Sequence, residues 1–221
     1  MTSAAPRIVL LHATPVAVEP VKQAFEAEWP EADLLNLLDD GLSQDRARDT
    51  DLTPTMIERF VSLGHYAYST GASGILVTCS AFGPAIEKLA GALPIPVLKP
   101  NEAMFRAAIG KGNKIGMIAT FGPSVGTMEA EFAEYVAQVH SKATLKTILV
   151  EGAMVALRAG DVESHNRLIA ERALELEWCD TIMLAHFSTA RAADLVQKNM
   201  KNPILSAPNA AVLHMRKLIE G

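Results

Sequence analysis

Cys79 closes the apolar run Gly74-Ile-Leu-Val-Thr-Cys and stands directly before Ser80-Ala-Phe-Gly-Pro, a turn leading into a helix over 84–89. Near a helix N-terminus, backbone N–H groups and the dipole favour a thiolate and draw its pKa below the usual value of about 8.5. Such a group can take a proton from carbon, return one, or act as a nucleophile. Burial as an inert core cysteine is the competing reading, because Cys is among the most buried residue types. His186 ends a second run of the same kind, Asp180-Thr-Ile-Met-Leu-Ala-His. An imidazole there can exchange a proton near neutral pH, or it can simply be satisfied by backbone. Thr78 and Ser80 flank the thiol, Thr14, Thr120 and Ser124 follow two other strand-like runs, and Ser188 follows His186. Hydroxyls and free N–H groups at such places suit a carboxylate, although turns favour Ser and Thr for conformational reasons too. His12 ends the first run and either lines the same cleft or is satisfied at the sheet rim. Cys179, in Glu177-Trp-Cys-Asp, precedes its strand and so lies at the opposite sheet edge, which reads as structural.

The elements that must position these residues alternate along the chain. Short apolar runs fall at Ile8–Ala13, Leu34–Leu38, Gly74–Cys79, Ile95–Leu98, Ile115–Ala119, Leu145–Val150, Thr181–Ala185 and Ile204–Leu205. Amphipathic stretches separate them, and several runs lack alternation, as strands covered on both faces do. The pattern is an α/β protein with parallel sheets. An internal duplication sharpens it: Ile8-Val-Leu-Leu-His-Ala lies over Ile115-Gly-Met-Ile-Ala-Thr, and Ile75-Leu-Val-Thr-Cys-Ser over Ile182-Met-Leu-Ala-His-Phe. Pro100-Asn-Glu-Ala likewise lies over Pro208-Asn-Ala-Ala, which makes three matches in order at a nearly constant offset. The chain therefore reads as two similar four-stranded parallel-sheet domains related by a pseudo-twofold, with the active site in the cleft between them. A closed (β/α)₈ barrel fits less well, since barrels need roughly 250 residues. Residues 1–99 form the first domain and 100–207 the second, with a last helix over 208–221 returning to the first. Asn101 and Asn209 are expected to cap the helices they open. The segment Asp39-Asp40-Gly41-Leu42 is expected to be a loop at the cleft mouth. Ligands of parallel α/β sheets bind beyond the carboxyl ends of the strands, which is where Cys79, His186 and the hydroxyls stand. Matched strand ends facing each other would place thiol and imidazole on opposite faces of a small substrate.

Composition narrows the class of partner. Of 221 residues, 20 are Lys or Arg and 25 Asp or Glu, a formal net charge of −5 with no clustered basic face, which argues against nucleic acid. No signal sequence or apolar stretch of membrane-spanning length is present, so no membrane partner is expected and a reducing cytoplasm is the default. Two cysteines in no CxxC or zinc spacing suggest neither a disulfide framework nor a structural metal. There is no GxxxxGK[ST], no GxGxxG after the first strand, no HExxH and no GxSxG, so no cofactor or metal is implied. Phe82, Phe121 and Phe187 follow strands and either line the cleft or belong to the core.

Gly74-Ile-Leu-Val-Thr-Cys-Ser80, Lys114-Ile-Gly-Met-Ile-Ala-Thr120 and Asp180-Thr-Ile-Met-Leu-Ala-His186, with the two Pro-Asn helix starts, resemble the aspartate/glutamate/hydantoin racemase superfamily over essentially the whole chain. The resemblance, which extends to maleate isomerase and arylmalonate decarboxylase, implies two α/β domains around a cleft. It also implies no cofactor, a homo-oligomer, commonly a dimer, and a small-molecule carboxylate substrate. In the racemases a cysteine ends the third strand of each half, and the two flank Cα. The first corresponds to Cys79, whereas the second falls on His186. The carboxylate-binding positions fall approximately on Thr14, Ser80, Thr120 and Ser124, and on Ser188. The resulting expectation is a cofactor-independent racemase or isomerase of a small carboxylic acid or amino-acid derivative, working by Cys/His acid–base proton transfer at Cα. The alternatives are a decarboxylase of a small dicarboxylic acid that uses the single cleft cysteine, and a non-catalytic small-acid binding protein.

Overall fold

A computed structural model describes residues 5–49 and 51–221. The first sheet has the order β2-β1-β3-β4, built from β1 (Arg7–His12), β2 (Asp33–Leu38), β3 (Gly74–Val77) and β4 (Val97–Leu98). The second repeats that order as β6-β5-β7-β8, from β5 (Lys114–Ala119), β6 (Thr144–Leu149), β7 (Thr181–Leu184) and β8 (Ile204–Ser206). Every pairing is parallel. Four helices accompany the first sheet: α1 (Val18–Glu28), α2 (Gly41–Arg48), α3 (Pro54–Ser69) and α4 (Gly83–Ala92). Helix α5 (Glu102–Ile109) leads into the second sheet, joined by α6 (Val125–Gln138), α7 (Ala153–Arg158), α8 (Val162–Ala173) and α9 (Ala193–Asn199). The chain closes with α10 (Ala207–Glu220).

The central strands are the unbroken apolar runs, and burial explains why. All of β3 and β7 is buried, as is every residue of β1 and β5 after the first, whereas the edge strands β2 and β6 are largely open to solvent. A strand covered on both faces has no use for polar alternation. Successive side chains then serve two cores. Ile8, Leu10 and Leu76 join Ile115, Met117 and Met183 of the other sheet in one cluster, filled by Phe25 of α1, Phe105 of α5, Phe132 of α6 and Met215 of α10. Val9, Leu11, Ile75 and Val77 face the opposite way, against Phe60 of α3 and Leu89 of α4. Ile118, Ile182 and Leu184 do the same in the second half, against Ile169 of α8 and Val196 of α9. Each such side chain contributes about 1.5–3 kcal/mol on burial, so the cluster shared by both sheets binds the halves into one body.

Helix α10 lies on α1. Trp29 donates from Nε1 to Glu220 Oε1 (2.9 Å), Arg216 from Nη1 to the Glu28 carbonyl (2.9 Å), and Asn209 from Nδ2 to Glu28 Oε1 (3.2 Å). Asn209 is therefore not a cap: Ser206 precedes α10, and Pro208 and Asn209 lie within its first turn. Asn101 does occupy the cap position of α5, but its side chain accepts no backbone N–H. Two further helices differ from the sequence expectation. The segment from Gly41 onward is helix α2 rather than loop, and Asp39 before it is held by the Arg59 guanidinium at 2.5 and 2.6 Å. Six-residue α7 follows Gly152, whose φ of 80° lets the chain turn sharply out of β6.

Candidate active site

The carboxyl ends of both sheets open onto one narrow cavity of about 30 Å³, lined among others by Thr14, Ser43, Thr78, Cys79, Ser80, Phe121, Ser124, Arg158, His186 and Ser188. Cys79 continues β3 in extended conformation (φ −126°, ψ 119°), then the chain winds through a single 3-10 turn, Ser80–Phe82, into α4. Only 9% of Cys79 is exposed. Burial pushes its thiol up to about 11, opposed by the Ala81 N–H that the sulfur accepts and by the nearby Arg46 and Arg158 guanidinium groups. Proximity to the N-terminus of α4 thus does not produce a resting thiolate. Desolvation is the larger effect, and Cys79 is a thiol at neutral pH.

His186 follows β7 and lines the same cavity from the other half. Its backbone is clamped by Thr189, whose Oγ1 accepts from the His186 N–H (3.2 Å) and donates to the His186 carbonyl (2.6 Å). Its ring is held equally firmly. The Thr120 backbone N–H donates to Nδ1 at 3.1 Å, the Thr120 hydroxyl approaches the same nitrogen at 3.1 Å, and Ser124 Oγ lies 2.7 Å from Nε2. Because a backbone N–H can only donate, Nδ1 carries the lone pair and Nε2 the proton. Ser124 accepts that proton and passes its own hydroxyl hydrogen to the Phe121 carbonyl (2.8 Å). Burial, with the buried His165 of α8 nearby, pushes the His186 pKa down to about 4, so the ring is neutral.

Seven of the nine residues singled out from the sequence thus meet in one cavity: Cys79, His186, Thr14, Thr78, Ser80, Ser124 and Ser188. The other two stand one layer back, His12 behind Thr78 at 2.8 Å and Thr120 behind His186. Phe121 and Phe187 line the cavity. Phe82 does not: it is fully buried and stacks on Phe60 with centroids 5.2 Å apart. Cys179 is buried beneath β5 beside Gly116, in the outer core of the second half.

Besides the small Ala17, three contributors escaped the sequence reading. Ser43 of α2 and Met154 and Arg158 of α7 reach the cavity from the helices that follow the edge strands of the two halves. The available signal was positional, since each lies just after the second strand of its half. Exposed Arg158 sits over the Phe121 ring at 5.9 Å. Arg46 of α2, only 7% exposed, donates to the Asp49 carbonyl (2.9 Å) and, across the cleft, to the Pro123 carbonyl (3.2 Å). Two guanidinium groups near a neutral thiol make the cavity electropositive, the setting a carboxylate needs. Among the described residues no group of three or more His, Cys, Asp or Glu could hold a metal ion, and no helix is long and apolar enough to cross a membrane.

The two repeated sheets with opposed strand ends define a class of cleft α/β proteins, and the comparisons agree. The family model for Asp/Glu/Hydantoin racemase matches residues 21–214. The chain belongs to that family. Glutamate racemase isoform RacE1 from Bacillus anthracis superposes with a TM-score of 0.77 at 16% identity, covering 99% of this chain and 83% of that one. Allantoin racemase from Klebsiella pneumoniae gives 0.74 at 15% identity, covering 98% and 88%. A cysteine-substituted mutant of arylmalonate decarboxylase, in its sulfate-associated form, gives 0.66 at 17% identity, covering 98% and 94%. At these identities the likeness speaks for the fold. Comparison with curated protein sequences finds no match.

Proposed function

We propose that the protein is a cofactor-independent racemase or isomerase that moves a proton at Cα of a small carboxylic acid or amino-acid derivative. The observation that carries this reading is the pairing of Cys79 and His186, from equivalent strand ends of the two halves, on the wall of one electropositive cavity. Arg158 and the N–H groups of the turns after β3 and β7 supply donors for a carboxylate and for the enediolate that forms when Cα loses its proton. The resting pair is neutral, thiol and imidazole. In one direction His186 takes the Cα proton, which requires the ring to release the Thr120 N–H, and Cys79 delivers a proton to the other face. The reverse direction starts from thiolate and imidazolium.

That second form is costly here, and this favours a second reading. With burial pushing the thiol up to about 11 and the imidazole down to about 4, moving the proton from one to the other is strongly uphill. A lyase needs only the neutral form: loss of carbon dioxide leaves an enediolate that Cys79 protonates from one side. Solvent deuterium separates the readings. The protein is incubated in D₂O with a panel of chiral amino acids, hydantoins, hydroxy acids and malonates, and mass and chirality are read together. Racemisation or isomerisation exchanges Cα–H while the substrate keeps its formula; the lyase releases carbon dioxide and leaves one deuterium. Cys79→Ser and His186→Ala serve as controls. Binding without turnover across the whole panel would leave a small-acid binding protein and end the enzymatic reading.

A further inference from the structure

Behind the cavity wall a second imidazole is enclosed between strands. His12, at the end of β1, is fully buried, with Nδ1 2.8 Å from Thr78 Oγ1 and Nε2 2.9 Å from Asn36 Oδ1. His12 ends β1, Asn36 lies in the neighbouring β2 and Thr78 directly follows β3 on the other side, so their side chains link across the sheet next to Cys79. Burial lowers the His12 pKa, so its ring is neutral and carries one N–H. An amide oxygen can only accept, so that hydrogen is on Nε2, and Nδ1 is bare. Thr78 must then donate its hydroxyl hydrogen to Nδ1, the Leu11 carbonyl being farther away at 3.4 Å. Because Thr78 also lines the cavity, what its oxygen offers there is a lone pair.

The opposite half reaches the same result by different residues. The Ser124 hydroxyl takes the His186 Nε2 proton and gives its own to Phe121, so it too has no hydrogen left for a ligand. Hydroxyls that would be read from sequence as carboxylate donors are thus committed as acceptors by the histidines behind them.

We infer that His12 is a positioning residue: by holding the Thr78 proton it makes Thr78 Oγ1 a hydrogen-bond acceptor toward the bound acid, and so selects acids that carry an N–H or O–H group on Cα. The selectivity rests on the carboxylate-binding reading above, whereas the direction of the Thr78 proton does not. A neutral donor facing this oxygen gains a hydrogen bond, and an acid with a methyl group in its place leaves the oxygen desolvated and unpaired. Donor-bearing and donor-free acids of one shape should therefore separate by about tenfold, the size of a single neutral hydrogen bond.

The test has two readouts on the full-length protein. Long-range proton–nitrogen NMR with ¹⁵N-histidine reports the His12 tautomer without any ligand, and a protonated Nε2 with a bare Nδ1 is expected. Lactate and isobutyrate, one skeleton with hydroxyl exchanged for methyl, are then titrated into the wild type, Thr78→Ser and Thr78→Val. The preference for lactate is expected to survive in Thr78→Ser and to fall about tenfold in Thr78→Val, as lactate loses its acceptor and isobutyrate no longer leaves an unpaired oxygen. A proton on Nδ1 of His12 would overturn the inference even if Thr78→Val failed to fold. An unchanged preference in a folded Thr78→Val would overturn it as well. If neither acid bound, the carboxylate reading and the selectivity would fall together, and the tautomer would still decide where the Thr78 proton points.

Discussion

The Thr120 backbone N–H points at Nδ1 of His186 from 3.1 Å, and a backbone donor cannot be reversed. Protonating His186 would set two hydrogens against each other at that contact and would charge a half-buried ring. The imidazole is therefore expected to remain neutral through the physiological range and to titrate near about 4. Since this lies below the unfolded value of about 6.5, the group contributes stability that is complete above pH 6.5 and is lost as pH falls toward 4. A pH titration of the His186 ring by NMR checks it. A midpoint at or above 6 would mean that the Thr120 contact does not hold the ring as drawn.

Cys79 is expected to react slowly with iodoacetamide at pH 7 in the native protein, its rate climbing toward a midpoint near about 11. Unfolding in urea should bring that midpoint down to about 8.5. The Arg158 guanidinium draws the thiol down, so Arg158→Gln should raise the midpoint further and slow alkylation at pH 9. Arg158 is exposed and forms no ion pair among the described residues, which makes it a cleaner probe than the buried Arg46, which also ties α2 to Pro123. Peptide mass mapping separates Cys79 from Cys179. A native Cys79 that alkylates rapidly at pH 7 would refute the desolvated thiol.

The four central strands were legible because each is an apolar run buried on both faces, a pattern that needs no partner to be recognised. From there topology did the rest: residues just past strand ends converge, and Cys79, Ser80, His186 and Ser188 could be placed together before any coordinates. Helices α2 and α7 were not legible. Gly41–Arg48 is nearly all polar, its inward face carrying Leu42, Ser43 and Arg46, and Ala153–Arg158 is too short for a period to show. Ser43, Met154 and Arg158 were missed with them. The protonation of His186 was out of reach for another reason. It depends on Thr120 and Ser124, which are 66 and 62 residues away in sequence and become neighbours only when β5 and β7 pair.

Behind the Cys79 turn, α3 and α4 approach so closely at Gly64 that a Cβ there would stand 2.1 Å from Leu89 Cδ2 and 2.5 Å from Cδ1. Gly64→Ala usually stabilises a helix interior by up to about 1 kcal/mol through backbone entropy. Here overpacking against a fully buried leucine should reverse the sign and cost about 1–3 kcal/mol. Leu89→Ala in the same chain should relieve part of that cost, so a double-mutant cycle by urea unfolding should return a favourable coupling between the two sites. Additive losses would show that the helices simply move apart.

Glu131 of α6 sets charge against burial. It is 9% exposed, and neither carboxylate oxygen has a hydrogen-bond partner among the described residues. Lys99 stands 3.5 Å from Oε1 but is shared with Glu87, and Gly83, the first residue of α4, leaves the space that Glu131 fills. Desolvation pushes the carboxyl up to about 7, against the pull of Lys99, with Glu87 and Glu134 pushing the same way as burial. Because the folded pKa exceeds the unfolded one of about 4.3, the folded protein holds the extra proton between those values, and stability falls as pH rises through that window. The loss by pH 8 is up to about 4 kcal/mol. Glu131→Gln keeps the shape without the charge. Its stability minus that of the wild type should therefore grow from pH 5 to pH 8, while the contributions of the histidines cancel in the difference. Urea unfolding at four pH values across this range measures it, and a difference that stays flat or shrinks with pH would mean that Glu131 is already ionised at pH 5.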